Sequence, residues 1–325
     1  MAKSNKPAVG IDLGGTNMQI GIVVPSGSGD LKLVAQAKKK TKAADGQSAV
    51  IDRIAEGVNE ALAEAKLTIK DIGSIGIGAP GAVDPWTGVV LEAVNLRWKN
   101  TPLAEILTKR TGVPTFLDND VNVAVYGENK LGAGKDSKNM LGVWVGTGIG
   151  GGLILDGKLY YGHFMTAGEI GHTIALPNNP PGHRSLEHNC SRTSVVDQIV
   201  RLIRANRKSK ITELCKGDFD DIKSRMVGEA YAAGDEVVCE VINHSAELLG
   251  IMISNVVTLL SLERVVLGGG LTEAVGKPYV DRVERATKLF AFPDRCKQVK
   301  IVASQLEDAA GIYGAAMLAM ERSEK

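Results

Sequence analysis

The stretch Asp12-Leu13-Gly14-Gly15-Thr16-Asn17 lies between two apolar runs, Ala8–Ile11 and Met18–Val24, which read as strands joined by a Gly-Gly turn. No Lys follows the glycines ahead of a helix, so this is not a Walker loop. The next segment reads as a strand, so it is not a dinucleotide fingerprint either. What remains is a hairpin tip with exposed N–H groups, a hydroxyl, and a carboxylate at the strand end. Such N–H groups can hold phosphate oxygens, and a nearby carboxylate can hold Mg2+ through water. A plain hairpin turn with a capping Asp accounts for the same residues. The pattern is echoed far down the chain by Trp144-Val145-Gly146-Thr147-Gly148, followed by Ile149-Gly150-Gly151-Gly152. That spacing is much too long for a solenoid repeat. It suits two similar α/β lobes facing a cleft, each offering one glycine hairpin; two unrelated turns would satisfy the same local match.

Working outward, the first hairpin is followed by a polar loop at 25–30 and a third strand, Leu31–Lys38. Apolar residues at helical spacing (Val50, Ile54, Val58, Leu62) predict a helix over Ser48–Leu67. A buried strand Ile72–Ile77, a helix Leu103–Thr111, a strand Pro114–Leu117 and a helix Val121–Leu131 complete the first cycle. The second runs through strands Met140–Val145 and Gly152–Leu155, helices Val195–Asn206 and Glu236–Leu260, and strands Arg264–Leu267 and Val299–Ala303. An Ala-rich helix, Asp308–Met320, closes the chain.

Composition bounds the function. The 325 residues suggest two domains. With 44% hydrophobic and 23% charged residues the chain can bury a sizeable core. A formal charge of +1 gives no broad attraction to nucleic acid or anionic membrane. The longest uncharged stretches, Asn139–Leu155 and Leu248–Leu262, do not read as membrane spans. The polar N-terminus fits no signal peptide. Cys190, Cys215, Cys239 and Cys296 show no CxxC spacing and read as reduced thiols of a cytoplasmic protein. The 38 glycines, about 12% against a usual ~7%, cluster beside the apolar runs, where backbone must approach something closely.

Three further constellations carry chemistry. Leu117-Asp118-Asn119-Asp120-Val121-Asn122 ends a strand and opens a helix. An Asp there can cap the helix or act as a general base. Glu169-Ile170-Gly171-His172 sets a carboxylate and an imidazole three apart, so both can face one polar ligand. Gly268-Gly269-Gly270 follows a buried strand and could open onto adenine or ribose, or be an ordinary strand-to-helix connection.

Taken in order, Asp12–Thr16, Gly78-Ala79-Pro80-Gly81, Asn119–Asn122, the glycine run 146–152, Glu169–His172, Leu186-Glu187 and Gly268–Gly270 resemble the ROK family of sugar kinases, from about residue 8 to 318. The resemblance implies the two-lobed actin-like, ribonuclease H-like ATPase fold. It implies a small domain over 1–120, a large domain over 121–307, and a closing helix 308–325 that packs back on the small one. Asp12, Gly14, Gly15 and Thr16 match the first phosphate loop, Gly146, Thr147 and Gly148 the second, and Gly268, Gly269 and Gly270 the adenosine-side motif. Asp120 matches the catalytic Asp. Gly81, Asn95, Asn119, Glu169, His172 and Glu187 match sugar-binding positions. The implied activity is ATP- and Mg2+-dependent phosphorylation of a hexose, glucose first, with Asp12 holding Mg2+ through water. Kinases for N-acetylmannosamine, N-acetylglucosamine, fructose or allose, and polyphosphate as donor, are the rivals within that class. A non-catalytic sugar-sensing regulator is the rival outside it. Such regulators carry a helix-turn-helix before the first motif, and only eleven residues precede Asp12 here. Small-molecule sugar and nucleotide are the expected partners, with a homodimer and no nucleic acid or membrane.

One departure stands out. Family members usually carry a Cys-x-Cys-Gly-x-x-Gly-Cys segment before the Leu-Glu, which binds structural zinc with a His. Aligned on Leu186-Glu187, those cysteines fall at Asn178, Pro180 and Ser185. No thiolate set remains, so no structural zinc is expected.

Overall fold

The computed structural model describes residues 6–26 and 31–324. Of the expected polar loop at 25–30, residues 27–30 lie outside the described residues. The chain divides into two compact units. The first comprises Met1–Gly132, Tyr161–Thr166 and Asp308–Lys325, and the second Ala133–Tyr160 and Ala167–Glu307.

In the first unit the strands are β1 (Ala8–Leu13), β2 (Asn17–Pro25) and β3 (Leu31–Lys40), followed by helix α1 (Gln47–Ala65). Then come β4 (Ser74–Ala79), β5 (Ala82–Asp84), β6 (Val89–Ala93), β7 (Trp98–Thr101), α2 (Leu103–Thr111), β8 (Thr115–Asn119) and α3 (Asp120–Leu131). The main sheet has the order β3-β2-β1-β4-β8, and β5-β6-β7 form a small antiparallel sheet. β1, β4 and β8 run parallel, with Asp12 opposite Gly78 and Gly78 opposite Asp118. One face of the main sheet is covered by α1, whose Val50, Ile54, Val58 and Leu62 join Ile11, Ile20 and Ile77 in one core. Ile312 and Ala316 of the C-terminal helix, Ala310–Ser323, are buried with Ala8 and Val23 in a second cluster. Gly10 and Gly76 make that approach possible: a Cβ on either would collide with the helix carbonyls of Ile312 and Ala315.

In the second unit β9 (Met140–Val145), β10 (Ile149–Leu155) and β11 (Lys158–Tyr160) precede α4 (Glu187–Cys190), α5 (Arg192–Arg204), α6 (Ile211–Leu214), α7 (Ser224–Ala232) and α8 (Glu236–Leu260). β12 (Arg264–Gly268), α9 (Gly270–Val275), α10 (Lys277–Phe290) and β13 (Lys300–Ala303) follow. The sheet order is β11-β10-β9-β12-β13, with β9, β12 and β13 parallel. α8 is long and apolar enough, by length and composition, to cross a membrane, but 61% of its apolar window is buried. Val238, Ile242, Leu249, Ile253 and Val257 join the strand residues Val143, Val145 and Val265 in one core, which makes it a core helix.

The structure differs from the sequence reading in several places, among them the helices Ser224–Ala232 and Lys277–Phe290, which were not expected. The expected domain boundary at 120 falls instead after Gly132, because α3 packs on the C-terminal helix through Gly127 and Gly314 and so stays with the first unit. The strand expected to begin at Gly152 begins at Ile149. Gly151 lies inside that strand and is glycine because a side chain there would strike the Gly168 carbonyl. The β5–β7 sheet was not anticipated: its strands are three to five residues long and its turn signals diffuse.

Candidate functional site

In open α/β sheets, ligands bind beyond the carboxyl ends of the parallel strands. The first unit gathers its expected site residues there. Asp12, next to last in β1, lies against Gly311, where a Cβ would lie 2.8 Å from the Asp12 Cγ. Burial pushes the Asp12 carboxyl up to about 7, and the Asp120 and Asp308 carboxylates add to the rise. Every charged group acting on it is thus another acid. A buried carboxylate crowded by acids fits a divalent cation, and Mg2+ commonly uses one or two carboxylates plus waters and phosphate rather than an all-protein cage. Among the described residues no three His, Cys, Asp or Glu side chains form a metal-holding group.

The tip beyond Asp12 is braced on both sides. Thr41 donates its hydroxyl to Gly14 O (2.6 Å) and its N–H to Thr16 O (2.9 Å). Asn95 lies against Gly15, where a Cβ would come within 2.9 Å of the Asn95 Cβ. Gly81 has φ +88°, and any side chain there would run into Glu92 O.

Asn119 supplies the N-cap of α3. Its Oδ1 accepts from Val121 N (2.9 Å) and Asn122 N (3.1 Å), while Nδ2 donates to Gly81 O (3.1 Å). Its amide is therefore locked, with one N–H still available to a ligand. The sequence left open whether the Asp at this junction caps the helix; that task falls to Asn119. Asp120 Oδ1 accepts a hydrogen bond from Val121 N at 2.9 Å, and the residue is half-buried.

The second unit gathers the rest of its own set. Gly146 N donates to Gly148 O (2.9 Å), closing the β9–β10 tip. Glu187 reaches that tip: its Oε2 accepts from Ile149 N (2.8 Å), and its carboxylate fills the space a Gly148 side chain would need. Glu169 precedes and His172 ends a single 3-10 turn, Ile170–His172. Burial raises the Glu169 pKa, His172 opposes the rise and Glu187 adds to it, so the three are electrostatically coupled. Gly171 lets this loop rest on the backbone of Ile149. Gly268 packs on the Trp144 ring, and Gly269, at φ +90°, lies against Val145. Gly268–Gly270 thus sits beside the strand that feeds the hairpin.

The segment where zinc-binding cysteines were missing is closed by hydrogen bonds. Ala175 N and Leu176 N donate to Arg184 O (2.9 and 3.0 Å). Arg184 Nε donates to Asn179 O (2.6 Å), and Asn189 Nδ2 to Ser185 O (2.7 Å). Ser185 Oγ is 2.7 Å from His188 Nδ1. These bonds lead the chain to Glu187.

Sequence reasoning missed Arg192. Its backbone N donates to Gly146 O (2.9 Å) and its Nη2 to Thr147 Oγ1 (3.4 Å), while Thr193 Oγ1 donates to Thr147 O (2.8 Å). A guanidinium therefore stands beside the second hairpin. The only sequence signal was Ser191, the N-cap of α5. Also missed were Asp118, Tyr161 and Arg322, whose contacts are described below.

Paired sheets of this topology, each with a glycine hairpin after its first strand, define the actin-like, ribonuclease H-like two-domain ATPase class. Within that class the chain belongs to the ROK family, whose model matches residues 8–322. A glucokinase of Thermotoga maritima is 30% identical over 318 residues, covering 97% of each chain. A xylose repressor of Caldicellulosiruptor bescii is 27% identical over 94% of this chain and 76% of its own. Among solved structures, a ROK family glucokinase from Streptomyces griseus in complex with glucose and AMPPNP superposes with a TM-score of 0.85 at 27% identity, covering 97% of this chain and 99% of that one.

Proposed function

We propose that this protein is a cytoplasmic ATP-dependent hexose kinase that converts glucose to glucose 6-phosphate. The observation that carries the reading is the β8–α3 junction: a locked Asn119 amide with one donor to offer, followed at once by the half-buried carboxylate of Asp120. Asp120 accepts the proton of the attacking sugar hydroxyl. Such transfer is largely positioning and charge stabilisation, so the base needs no raised pKa. Asn119, Asn95, Glu169, His172 and Glu187 orient the sugar through hydrogen bonds, with Gly81 admitting it closely. A site built to bond hydroxyls rejects analogues that lack them. The backbone N–H groups of Gly14–Thr16 and Gly146–Gly148 hold the phosphates, and Gly268–Gly270 receives the adenosine. Mg2+, held through water by Asp12, would neutralise phosphate charge.

A regulator that had lost catalysis is the second reading, because the chain's relatives include a xylose repressor. Retention of Asp120 favours the enzyme. A coupled ADP-release assay over glucose, N-acetylglucosamine, N-acetylmannosamine, fructose and allose decides, with ATP and polyphosphate as donors in parallel. Glucose with ATP is expected to give the highest kcat/KM. Asp120→Asn is expected to lose ~10²–10⁴ in kcat while still binding sugar. No turnover with any pair would leave the sensing reading. If the protein is also a homodimer, the exposed Leu259, Leu289 and Phe292 of the second unit offer it an apolar surface, and sedimentation would show it.

A further inference from the structure

Asp118 is 1% exposed, and nothing in the proposed chemistry uses it. A buried carboxylate is costly unless paired and fully hydrogen-bonded. This one has four partners. Its Oδ1 accepts from the backbone N of Asn119 (2.9 Å) and from Asn122 Nδ2 (3.2 Å). Its Oδ2 accepts from Tyr161 OH (2.6 Å) and from Arg322 Nη2 (2.6 Å). Arg322 also donates to Leu117 O (2.9 Å) and to Tyr161 OH (2.8 Å). Its guanidinium lies 5.5 Å from the Trp86 ring, and Trp86 meets Tyr161 edge-on at 5.7 Å. Burial first, then the Asp118 charge, raise the Tyr161 pKa, which keeps its hydroxyl a donor.

The two oxygens of Asp118 divide the work. Oδ1 grips the turn that carries Asn119 and Asp120, from both its first N–H and the Asn122 side chain. Oδ2 is anchored by groups from two distant parts of the chain, the segment after β11 and the end of the C-terminal helix. We propose that Asp118, Tyr161 and Arg322 are positioning residues that fix where Asn119 and Asp120 stand relative to the sugar hydroxyl. The inference rests on the phosphotransfer reading above. Its logic is distance: a displacement of ~1 Å at a reacting group can cost ~10²-fold in rate. Because none of the three touches substrate, the loss should fall on the chemical step and not on sugar affinity.

The test is the single-turnover phosphoryl-transfer rate with ATP, Mg2+ and the best hexose, with wild type run alongside. Tyr161→Phe removes one hydroxyl and keeps the ring. It is expected to slow transfer roughly 5–20-fold with hexose affinity within about twofold and the melting temperature lowered by only a few degrees. The double variant Asp118→Asn with Arg322→Met removes both charges together and leaves no unpaired buried charge, which avoids the largest stability loss. Its transfer rate should stay low even where its melting temperature matches wild type. If either variant is as stable as wild type and transfers phosphate as fast, the cluster is a structural ion pair only and the inference fails. If the double variant does not fold, Tyr161→Phe alone decides. An inactive wild type would overturn the kinase reading and this inference with it; an active wild type with an equally active Tyr161→Phe would overturn this inference alone.

Discussion

The two glycine hairpins have the same backbone plan and opposite electrostatics. Each joins an antiparallel strand pair whose first strand is parallel to the next strand of the sheet. The Gly14–Thr16 tip follows a carboxylate that feels only other carboxylates. The Gly146–Gly148 tip is braced by the first turn of α5, which brings the Arg192 guanidinium to Thr147. Amide-lined tips suit phosphate in both cases, but the charge beside each differs. The first suits a phosphate accompanied by a cation, the second a bare phosphate oxygen. A glycine motif therefore says where phosphate can go, and the neighbouring side chain says in what company.

Substitutions at the first hairpin should break this contrast most visibly. Asp12→Asn keeps the shape but removes the charge, and turnover at limiting Mg2+ should fall about 10–100-fold, with much of the loss recovered at high Mg2+. Loss that no Mg2+ concentration relieves would detach Asp12 from the metal. The same variant has a stability signature in metal-free buffer. Asp12 titrates near 3.8 when unfolded and about 7 when folded, so the folded state holds an extra proton across that window. The group's contribution to stability then falls as pH rises from about 4 to about 7 and is flat above. Asp12→Asn should melt several degrees above wild type at pH 8, and by a clearly smaller margin at pH 5, where only part of that window has been crossed. An equal gain at both pH values would refute the acid crowding.

Arg192→Ala probes the second hairpin and should do less. Losing one charged donor is worth about 1.5 kcal/mol, so KM for ATP should rise roughly tenfold with hexose KM unchanged, and Arg192→Lys should recover part of it. Equal effects on both KM values would make Arg192 a brace and not a phosphate ligand. The smallest effect concerns the segment that delivers Glu187 to this hairpin. Its closure by Ser185, His188, Asn179 and Arg184 hydrogen bonds predicts that a strong zinc chelator, with Mg2+ restored, leaves activity and melting temperature unchanged. Stoichiometric zinc in tag-free protein, with activity lost on its removal, would contradict that.

Local signals made the frame legible. Val50, Ile54, Val58 and Leu62 repeat at helical spacing, and α1 spans Gln47–Ala65 against an expected Ser48–Leu67. The hairpins were legible because glycine set among strand-forming apolar residues marks a turn or a close backbone approach. What stayed hidden depends on contacts distant in sequence. Asp118 looked like one more polar residue of a helix cap until Arg322, more than half the chain away, was placed on it. Arg192 lies ahead of the helix expected from Val195, and only the structure starts that helix at Arg192 and sets its guanidinium at Thr147. Gly151 read as part of a turn because the partner that demands it, the Gly168 carbonyl, is supplied by another loop.

The seating of the C-terminal helix on Gly10 and Gly76 also dictates an order of assembly. On the ribosome β1 and β4 emerge early, while Ile312 and Ala315, which cover them, follow only after the whole second unit has been made. Until then the nascent first unit holds a sheet with one face bare, a state prone to self-association. Its completion is a long-range event of high contact order, slow compared with the local hairpins. A premature stop shortly before residue 308 would release a chain with both glycine hairpins intact and no means of closing the sheet that carries the first.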